Sequence, residues 1–210
     1  MAALAAGCEF AAPGGGTPAS PRELNPDRIR AWAEALVALH AVETPEDLPE
    51  AGFPDWLARV PQPWPVDVAP LLMQASGMRR IPGPPAGGLR FCHRRWWLQH
   101  ARFQGDALLG MDGWGRAARG DPAGDVASVL PGLAAAGASA AVAESFATAF
   151  ATAYAQAGGA PLRGLGAWHI AWVGEELVEA LRERSSSGRA VAEVFLWSRL
   201  LGRLLARRQD

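Results

Sequence analysis

The sequence of 210 residues contains no lysine, and its single asparagine is Asn25. All 20 strongly basic residues are therefore arginines. A mechanism that needs a side-chain amine, such as a Schiff base or a lysine that clamps a phosphate, is excluded because a guanidinium group does not replace it.

Cysteine is also scarce, with only Cys8 and Cys92 in the chain. Two cysteines far apart in sequence do not indicate a structural disulfide, and a reducing, cytoplasmic location fits this usage. The opening MAALAAGC resembles a lipoprotein cleavage site. It lacks the basic residues and the apolar length of an export signal, so we expect no export.

Long apolar runs and an excess of charge of either sign are lacking too. No apolar run reaches the ~20 residues that a membrane span requires. The net charge of −1 gives no broad field to attract nucleic acid or an anionic membrane. We therefore expect neither as a partner. Half of the residues are apolar, which is enough for one globular core.

The character of the chain changes near Asn25. Residues 1–24 are rich in Ala, Gly and Pro without an apolar period, and they predict a flexible leader before one folded domain over residues 25–210. Asn25 followed by Pro26 is typical of a helix N-terminus, and apolar residues at helical spacing predict a helix to about His40.

Further helices and one hairpin are predicted from apolar periodicity and from turn residues. The predicted helices cover residues 67–76, 121–130, 139–157, 167–184 and 189–208, and Pro131-Gly132 is expected to end the second of these. The predicted strands cover residues 89–93, 96–103 and 107–112, with a tight turn over residues 104–106. The fold class predicted by this pattern is mainly α with a small β hairpin (α+β).

The segment 89–127 carries the motifs with chemical content. Residues 120–127 read GDPAGDVA, an aspartate at Asp112 lies eight residues before them, and His93 precedes both. This order resembles the aminoglycoside phosphotransferase and choline kinase-like proteins, a protein-kinase-like family with a GDPxxDLA helix start. The helix ending in LHAV, residues 39–42, resembles the first helix of that family's C-terminal lobe. The resemblance implies a kinase-like C-terminal lobe.

The departures from the family pattern lie where its chemistry is carried out. Arg95 stands at the position of the catalytic aspartate, and His100 stands at the position of the metal-binding asparagine. Arginine cannot accept a proton at neutral pH, and imidazole suits Mg²⁺ poorly. Asp112 is the one matched metal ligand, and a single carboxylate is a weak one. We therefore expect no catalytic residue in the degenerate loop of His93, Arg95 and His100, and no cofactor.

The family's N-terminal β lobe, with its ATP-clamping lysine, has no counterpart in the 24 residues before the first helix. We expect a pseudokinase that acts as a binding or scaffold module through the former cleft face, with a protein partner or a second copy as in a dimer. The alternative is an ATP-dependent small-molecule phosphotransferase that uses Mg-ATP and is completed by an N-lobe from another chain or from an earlier start. A third hypothesis is an unrelated helical protein that echoes GDPAGDVA.

Several side chains of the segment have more than one interpretation. Arg94 and Arg95 could bind a phosphate or carboxylate group, or pair with Asp106 or Asp112. Candidate ligand or partner residues in the segment are Arg94, Arg95, Trp96, Trp97 and Trp114. If residues 96–103 form a strand, its alternation places Trp96 and Trp97 on opposite faces, with one of them exposed or at an interface.

Two aspartates and one potential metal site complete the predictions. Asp121 is expected to cap the helix that starts at Pro122, and Asp125 is expected to bond to loop backbone. A transition-metal site is a further alternative, built from Cys92, His93, His100 and Asp112.

Overall fold

The computed structural model of the chain describes residues 17–77, 82–83, 85, 87–183 and 188–207. The helices are α1 (Pro26–His40), α2 (Ala69–Gly77), α3 (Pro122–Ala135), α4 (Ala140–Gln156), α5 (Leu165–Glu183) and α6 (Gly188–Ala206). The strands are β1 (Thr17–Pro18), β2 (Arg90–Cys92), β3 (Ala101–Gln104), β4 (Ala107–Met111) and β5 (Ala118–Gly120). The mainly helical class with a small hairpin is confirmed.

The chain divides into two compact units, where the sequence predicts one domain over residues 25–210. The first unit comprises the chain up to Gly52 together with Pro84–Arg163, and the second comprises Phe53–Gly83 together with the chain from Gly164 onward. Across the part of the chain that the structure describes, no helix combines the length and apolar character needed to cross a membrane.

The helices of the first unit begin at residues whose side chains cap them. The Asn25 side chain accepts a hydrogen bond from the backbone N–H of Arg28 at 2.9 Å. Asp121 accepts one from Ala123 at 2.9 Å, and Ser139 caps α4. These contacts satisfy N–H groups that have no partner within the helix.

The predicted end of α3 at Pro131-Gly132 is wrong, because the helix continues to Ala135. A proline inside a helix removes one backbone hydrogen bond and crowds the preceding turn, at a cost of about 3 kcal/mol, so the turn beyond it must be held by packing. The turn beyond it buries Leu133 completely. Gly132 has a packing role, since a Cβ at this position would lie 2.7 Å from Cγ of Trp97. Gly132, one of the two residues that suggested a stop, instead lets the Trp97 ring pack against the helix.

The strands form two small antiparallel sheets, one in the order β1-β3-β4 and the other pairing β2 with β5. The predicted hairpin is present, with Gly105 in its turn at φ +58°. The first strand of the predicted hairpin, residues 96–103, starts too early, because Trp96 and Trp97 precede a short 3-10 helix over Leu98–His100. The strand itself starts at Ala101.

The prediction of a flexible leader extends too far along the chain. Thr17 pairs with Phe103 in the sheet, and Ala19 and Leu24 are buried. The edge of β3 supplies unpaired backbone groups that β1 satisfies, which the composition of the segment does not reveal. Residues 1–16 of the predicted leader lie outside the described residues.

The core of the first unit lies between α1, α3 and α4. Trp32 of α1 meets Phe150 of α4 edge to face, with ring centroids 4.8 Å apart. Leu36 and Leu39 of α1 and Leu130 of α3 are also buried. This core supports the loop between β2 and β3 that contains the candidate site.

The second unit is built from α2, α5, α6 and the chain that precedes α2. Trp56 packs against α5 at Gly174, where a Cβ would lie 2.2 Å from the indole ring. Phe53 meets Trp168 of α5 edge to face at 4.8 Å. The predicted C-terminal ends of the last two helices, at residues 184 and 208, lie outside the described residues.

Candidate functional site

Asp125, in the first turn of α3, holds the backbone of the loop that follows β2. Its Oδ2 accepts a hydrogen bond from the N–H of His93 at 2.7 Å, and its Oδ1 accepts one from the N–H of Arg94 at 2.6 Å. One turn later, the Ser128 hydroxyl accepts a hydrogen bond from the N–H of Trp96 at 2.9 Å. The start of α3 thus fixes three backbone N–H groups of the loop, those of His93, Arg94 and Trp96.

His40, the last residue of α1, supports Asp125 from the other side. Its Nε2 lies 3.2 Å from Asp125 Oδ2, and its Nδ1 lies 2.8 Å from the Tyr154 hydroxyl. Because a carboxylate only accepts hydrogen bonds, Nε2 carries the proton between the two groups. The Tyr154 hydroxyl also accepts the N–H of Ala160 at 3.2 Å. All three side chains are buried, so they form one internal network.

Asp125 remains ionised inside the protein. Burial by itself would raise its pKa, but the hydrogen bond from His40 and the backbone N–H of His93 outweigh burial and hold the pKa below its ordinary value. An ionised carboxylate accepts stronger hydrogen bonds than a neutral one. The charge therefore strengthens the contacts that order the loop.

His93 ties the loop to the end of the hairpin. Its Nε2 lies 2.7 Å from the carbonyl oxygen of Asp112, and its Nδ1 accepts the N–H of Arg95 at 3.3 Å. A carbonyl requires a donor and an N–H requires an acceptor, so these partners specify the neutral ring with its proton on Nε2. Burial lowers the pKa of His93, which favours the same state. Both nitrogens have backbone partners, and the ring is placed for structure.

Asp112 follows β4, and each of its carboxylate oxygens has a donor. Oδ1 lies 2.6 Å from Nδ1 of His100, and Oδ2 accepts a hydrogen bond from Nη2 of Arg102. The Arg102 guanidinium is held at a second point, because Nη1 donates to the carbonyl of Gln99 at 2.9 Å. The three side chains of this ionic group, Arg102, His100 and Asp112, are between 19% and 28% exposed.

Arg102 is the member of this ionic group that the sequence did not predict, as His40, Ser128 and Tyr154 are in the network around Asp125. Arg102 pairs with Gly110 across the hairpin, so Asp112, two residues further on, is its diagonal neighbour on the same face. The predicted turn at residues 104–106 does not give this register, because the pairing of the two strands shifts between Arg102 and Phe103. The neighbourhood of Arg102 and Asp112 therefore depends on an irregularity of the hairpin that the turn residues do not indicate.

Arg95 lies on an aromatic surface. Its guanidinium carbon is 4.5 Å from the centroid of the Trp97 ring, and Trp97 stacks with His100 at 6.3 Å between centroids. The structure therefore places a cation over an indole ring, close to the histidine that contacts Asp112. A guanidinium here cannot accept a proton from a substrate hydroxyl.

The prediction that either Trp96 or Trp97 is exposed is wrong, because both are buried, at 0% and 9% exposure. They do not lie in a strand, so alternation does not apply. The N–H of Trp96 is fixed by Ser128, and the ring of Trp97 packs at Gly132. Neither indole can form a partner surface without a rearrangement of the loop.

Arg94 has a left-handed backbone, with φ of +72°. It is the one non-glycine residue with positive φ in the described ranges, and its N–H is the group held by Asp125. Its Nη2 lies 3.4 Å from the carbonyl of Gly52. Asp106, one of the carboxylates considered for the two arginines, forms an ion pair with Arg28 at 3.4 Å.

Trp114 closes the site on the side of β2. Its Nε1 donates to the carbonyl of Met111 at 2.8 Å, and its ring stacks on Phe91 with centroids 5.9 Å apart. It also meets His93 edge to face at 4.5 Å. The ring is partly exposed, so Trp114 is the predicted aromatic contact residue that reaches the surface.

The four-residue metal site considered from the sequence is not assembled. Cys92 lies with His40 and Asp125, its Sγ 4.0 Å from His40 Nε2, and not with His100 and Asp112. Among the residues that the structure describes, His40, Cys92 and Asp125 are the one group of three close potential ligands. Burial, followed by the charge of Asp125, raises the pKa of Cys92, which disfavours the thiolate that a metal requires.

The residues at Asp112 do not fit the Mg²⁺ that a kinase-like fold implies. Mg²⁺ prefers several oxygen ligands in octahedral geometry. The neighbours of the Asp112 carboxylate are an imidazole and a guanidinium, and the second of these is a cation. The donor set therefore disagrees with the magnesium chemistry of the fold.

Comparison with known proteins gives the fold. The chain is similar to a choline/ethanolamine kinase family protein from Mesorhizobium loti (TM-score 0.64, 15% identity, 92% of this chain and 70% of that one). It is also similar to a protein described as an aminoglycoside phosphotransferase from Ralstonia eutropha (0.60, 14%, 95% and 70%). A third similar structure is a macrolide 2'-phosphotransferase from Brachybacterium faecium (0.55, 19%, 89% and 67%). No family model matches the sequence, and neither does any curated protein.

These similarities define the class as the kinase-like phosphotransferase fold. They confirm the fold implied by the GDPAGDVA motif and contradict the hypothesis of an unrelated helical protein. At 14–19% identity they show the fold alone. The chain spans about two thirds of the length of these structures.

Proposed function

We propose that the protein is a catalytically degenerate, pseudokinase-like member of this fold class that works as a binding or scaffold module. The observation that carries the proposal is the state of Asp112. Its two oxygens are held by His100 and Arg102, so the carboxylate matched to a metal ligand forms an internal ion pair.

The position of Arg95 supports the same conclusion. Phosphoryl transfer to a hydroxyl uses a carboxylate to orient the nucleophile. Here a guanidinium lies over Trp97 at the matched position. His93 cannot serve instead, because both of its nitrogens are used by Asp112 and Arg95. Neither Arg95 nor His93 is therefore suited to the role of base.

The proposed binding surface is the cleft face, defined here as the surface around Arg94, Arg95, Asp112 and Trp114. Arginine and tryptophan are both enriched where proteins bind each other. We propose a protein partner or a second copy of this chain as the occupant. Trp96 and Trp97, which the sequence suggested as contacts, would support this surface from beneath.

A cytoplasmic location belongs to the proposal as well. Cys92 is a free, buried cysteine, which a reducing compartment preserves. The balanced charge of the chain supports the expectation of neither nucleic acid nor a membrane as a partner.

The alternative function is an ATP-dependent small-molecule phosphotransferase completed by an N-lobe from another chain or an earlier start. The similar structures favour it, since they are described as a kinase-family protein and two phosphotransferases. This alternative would be supported if the DNA upstream of the start codon encoded, in frame, a glycine-rich loop and a β-strand with a lysine.

A thermal shift measurement with Mg-ATP tests the proposed function. We expect the melting temperature to stay unchanged at millimolar Mg-ATP, because Asp112 is paired internally. A ligand present at 100 times its Kd would stabilise the folded protein by about 2.7 kcal/mol, which is readily detected as a shift of several degrees.

The Asp112→Asn variant is the control for this measurement. A magnesium-dependent rise in the wild type that is lost in the variant would contradict the proposed function. It would favour the phosphotransferase alternative.

A further inference from the structure

The ionic group of Arg102, His100 and Asp112 has the geometry of a filled carboxylate site. The two oxygens of Asp112 face different donors, His100 on one side and Arg102 on the other. The backbone N–H of Asp112 also donates to the carbonyl of His100 at 2.9 Å. The carboxylate is therefore oriented by its main chain as well as by its side-chain partners.

The guanidinium of Arg102 is fixed in place. Its Nη1 is bonded to the carbonyl of Gln99 while its Nη2 is bonded to Asp112. Its backbone lies in the middle of the sheet, in the register of Pro18 on one side and Gly110 on the other. A planar group bonded at two points loses less freedom when it pairs with a carboxylate than a mobile side chain does.

We propose that Arg102 is a resident cation for Asp112, which supplies the positive charge at this carboxylate and thereby excludes divalent metal ions. The inference deepens the proposed function and rests on it in one respect, since both require that Asp112 does not hold a metal. Beyond the proposed function, Arg102 is named as the residue that keeps metal ions from Asp112, and its fixed positive charge is the cause.

The physical reason is repulsion between like charges. A divalent ion bound to Asp112 would lie within a few ångströms of the guanidinium, which has no deprotonated state at accessible pH. A lysine at this position could lose its proton, whereas the arginine keeps its charge. His100 could still serve as a nitrogen ligand for a transition metal, so the exclusion depends on Arg102.

The experiment uses Mn²⁺ as the probe and measures the free ion by electron paramagnetic resonance. In Arg102→Gln we expect Mn²⁺ to bind at least about tenfold more tightly than in the wild type, because a fixed like charge near a divalent ion is removed. This binding should disappear in the double variant Arg102→Gln/Asp112→Asn. Arg102→Lys, which keeps a cation at neutral pH, should exclude Mn²⁺ as the wild type does.

Arg119→Gln is the matched control, because Arg119 pairs with Glu50 at 3.4 Å and does not form part of the ionic group. It should bind Mn²⁺ no better than the wild type. The inference is overturned if Arg102→Gln binds Mn²⁺ no better than this control, or if the wild type already binds Mn²⁺ through Asp112.

A measurement on the wild type covers the case in which Arg102→Gln does not fold. The ring protons of His100 should keep their nuclear magnetic resonance line widths when Mn²⁺ is added, and strong broadening that is lost in Asp112→Asn would overturn the inference. Its failure is distinct from failure of the proposed function, which is tested by Mg-ATP on the unmodified chain. If Mg-ATP leaves the melting temperature of the wild type unchanged and Arg102→Gln binds Mn²⁺ no more tightly than the wild type, the inference is rejected while the proposed function stands.

Discussion

At the residue scale, the order of the site depends on one buried carboxylate. Asp125 accepts the N–H groups of His93 and Arg94 and is itself held by His40. The left-handed backbone of Arg94 costs about 1 kcal/mol for a residue with a Cβ, and the short bond from its N–H to Asp125 offsets this. The loop shape is thus determined by groups outside the loop.

The neutral state of His93 leads to a prediction about acid stability. Burial lowers the pKa of His93 in the folded protein, so the unfolded chain takes up a proton on this ring at higher pH than the folded chain does. The contribution is fully present above the unfolded pKa of about 6.5 and is lost as the pH falls toward the lower folded value. We therefore expect the free energy of unfolding to decrease as the pH falls from about 6.5 toward the pKa of His93 in the folded protein.

Urea unfolding between pH 8 and pH 4 measures the effect. His93→Gln, which can still donate and accept but does not titrate, should show a shallower decrease just below pH 6.5. An unchanged slope in this variant would contradict the prediction. The lowered pKa of Asp125 also makes the free energy of unfolding decrease as the pH falls. This second decrease occurs at lower pH, below the ordinary carboxylate value near 4.

At the scale of elements, α3 connects the site to the core. Its first turn carries Asp125, the next turn carries Ser128, and a later turn carries Gly132, where Trp97 packs. One face of a single helix therefore fixes both the backbone and an aromatic side chain of the loop. This explains why the helix continues through Pro131, since an end at Leu130 would remove the surface on which Trp97 rests.

Gly132→Ala tests the role of this surface. Alanine is the better helix former by about 1 kcal/mol, but its Cβ would lie 2.7 Å from Cγ of Trp97 and 2.9 Å from its Cβ. We expect net destabilisation of about 1–3 kcal/mol from this overpacking, measured by urea unfolding with tryptophan fluorescence as the signal.

Gly115→Ala is the control for this prediction. A Cβ at Gly115 meets nothing within 4 Å, so the change should stay within about 0.5 kcal/mol. If Gly132→Ala were as stable as this control or more stable, the contact between α3 and Trp97 would not be close in solution.

At the scale of the whole molecule, the fold is that of kinase-like phosphotransferases, while the ionic group at Asp112 differs from their expected magnesium chemistry. A fold does not determine an activity, because activity depends on the groups of the site. A kinase-like fold together with an Asp112 carboxylate that is paired internally supports the proposal of a binding module.

Light scattering coupled to size-exclusion chromatography tests the proposed self-association. If a second copy occupies the cleft face, the wild type should have the mass of a dimer, and Arg95→Glu should lower the dimer fraction because it reverses a charge on that surface. Arg30→Glu, an exposed site on α1 paired with Asp27, is the control and should leave the mass unchanged. A monomeric wild type would contradict self-association and leave a different protein as the proposed partner.

The sequence predicted the helices and their starts well for a local reason. Asn25, Asp121 and Ser139 cap helices through contacts with residues two or three positions away, and such contacts can be read from adjacent letters. It failed at Pro131-Gly132, at Trp96 and at the end of the leader. Each of these depends on a partner distant in sequence, namely Trp97, Ser128 and β3.

By itself, the sequence determined which residue types are available: this chain has no lysine, and Arg95 and His100 stand where the resemblance places the catalytic aspartate and the metal-binding asparagine. The GDPAGDVA motif also determined the fold class. Only the tertiary structure decided what became of Asp112, because its partner Arg102 is brought beside it by the register of the hairpin. Residue types are a property of the chain, whereas a charge is neutralised by whatever the fold places next to it.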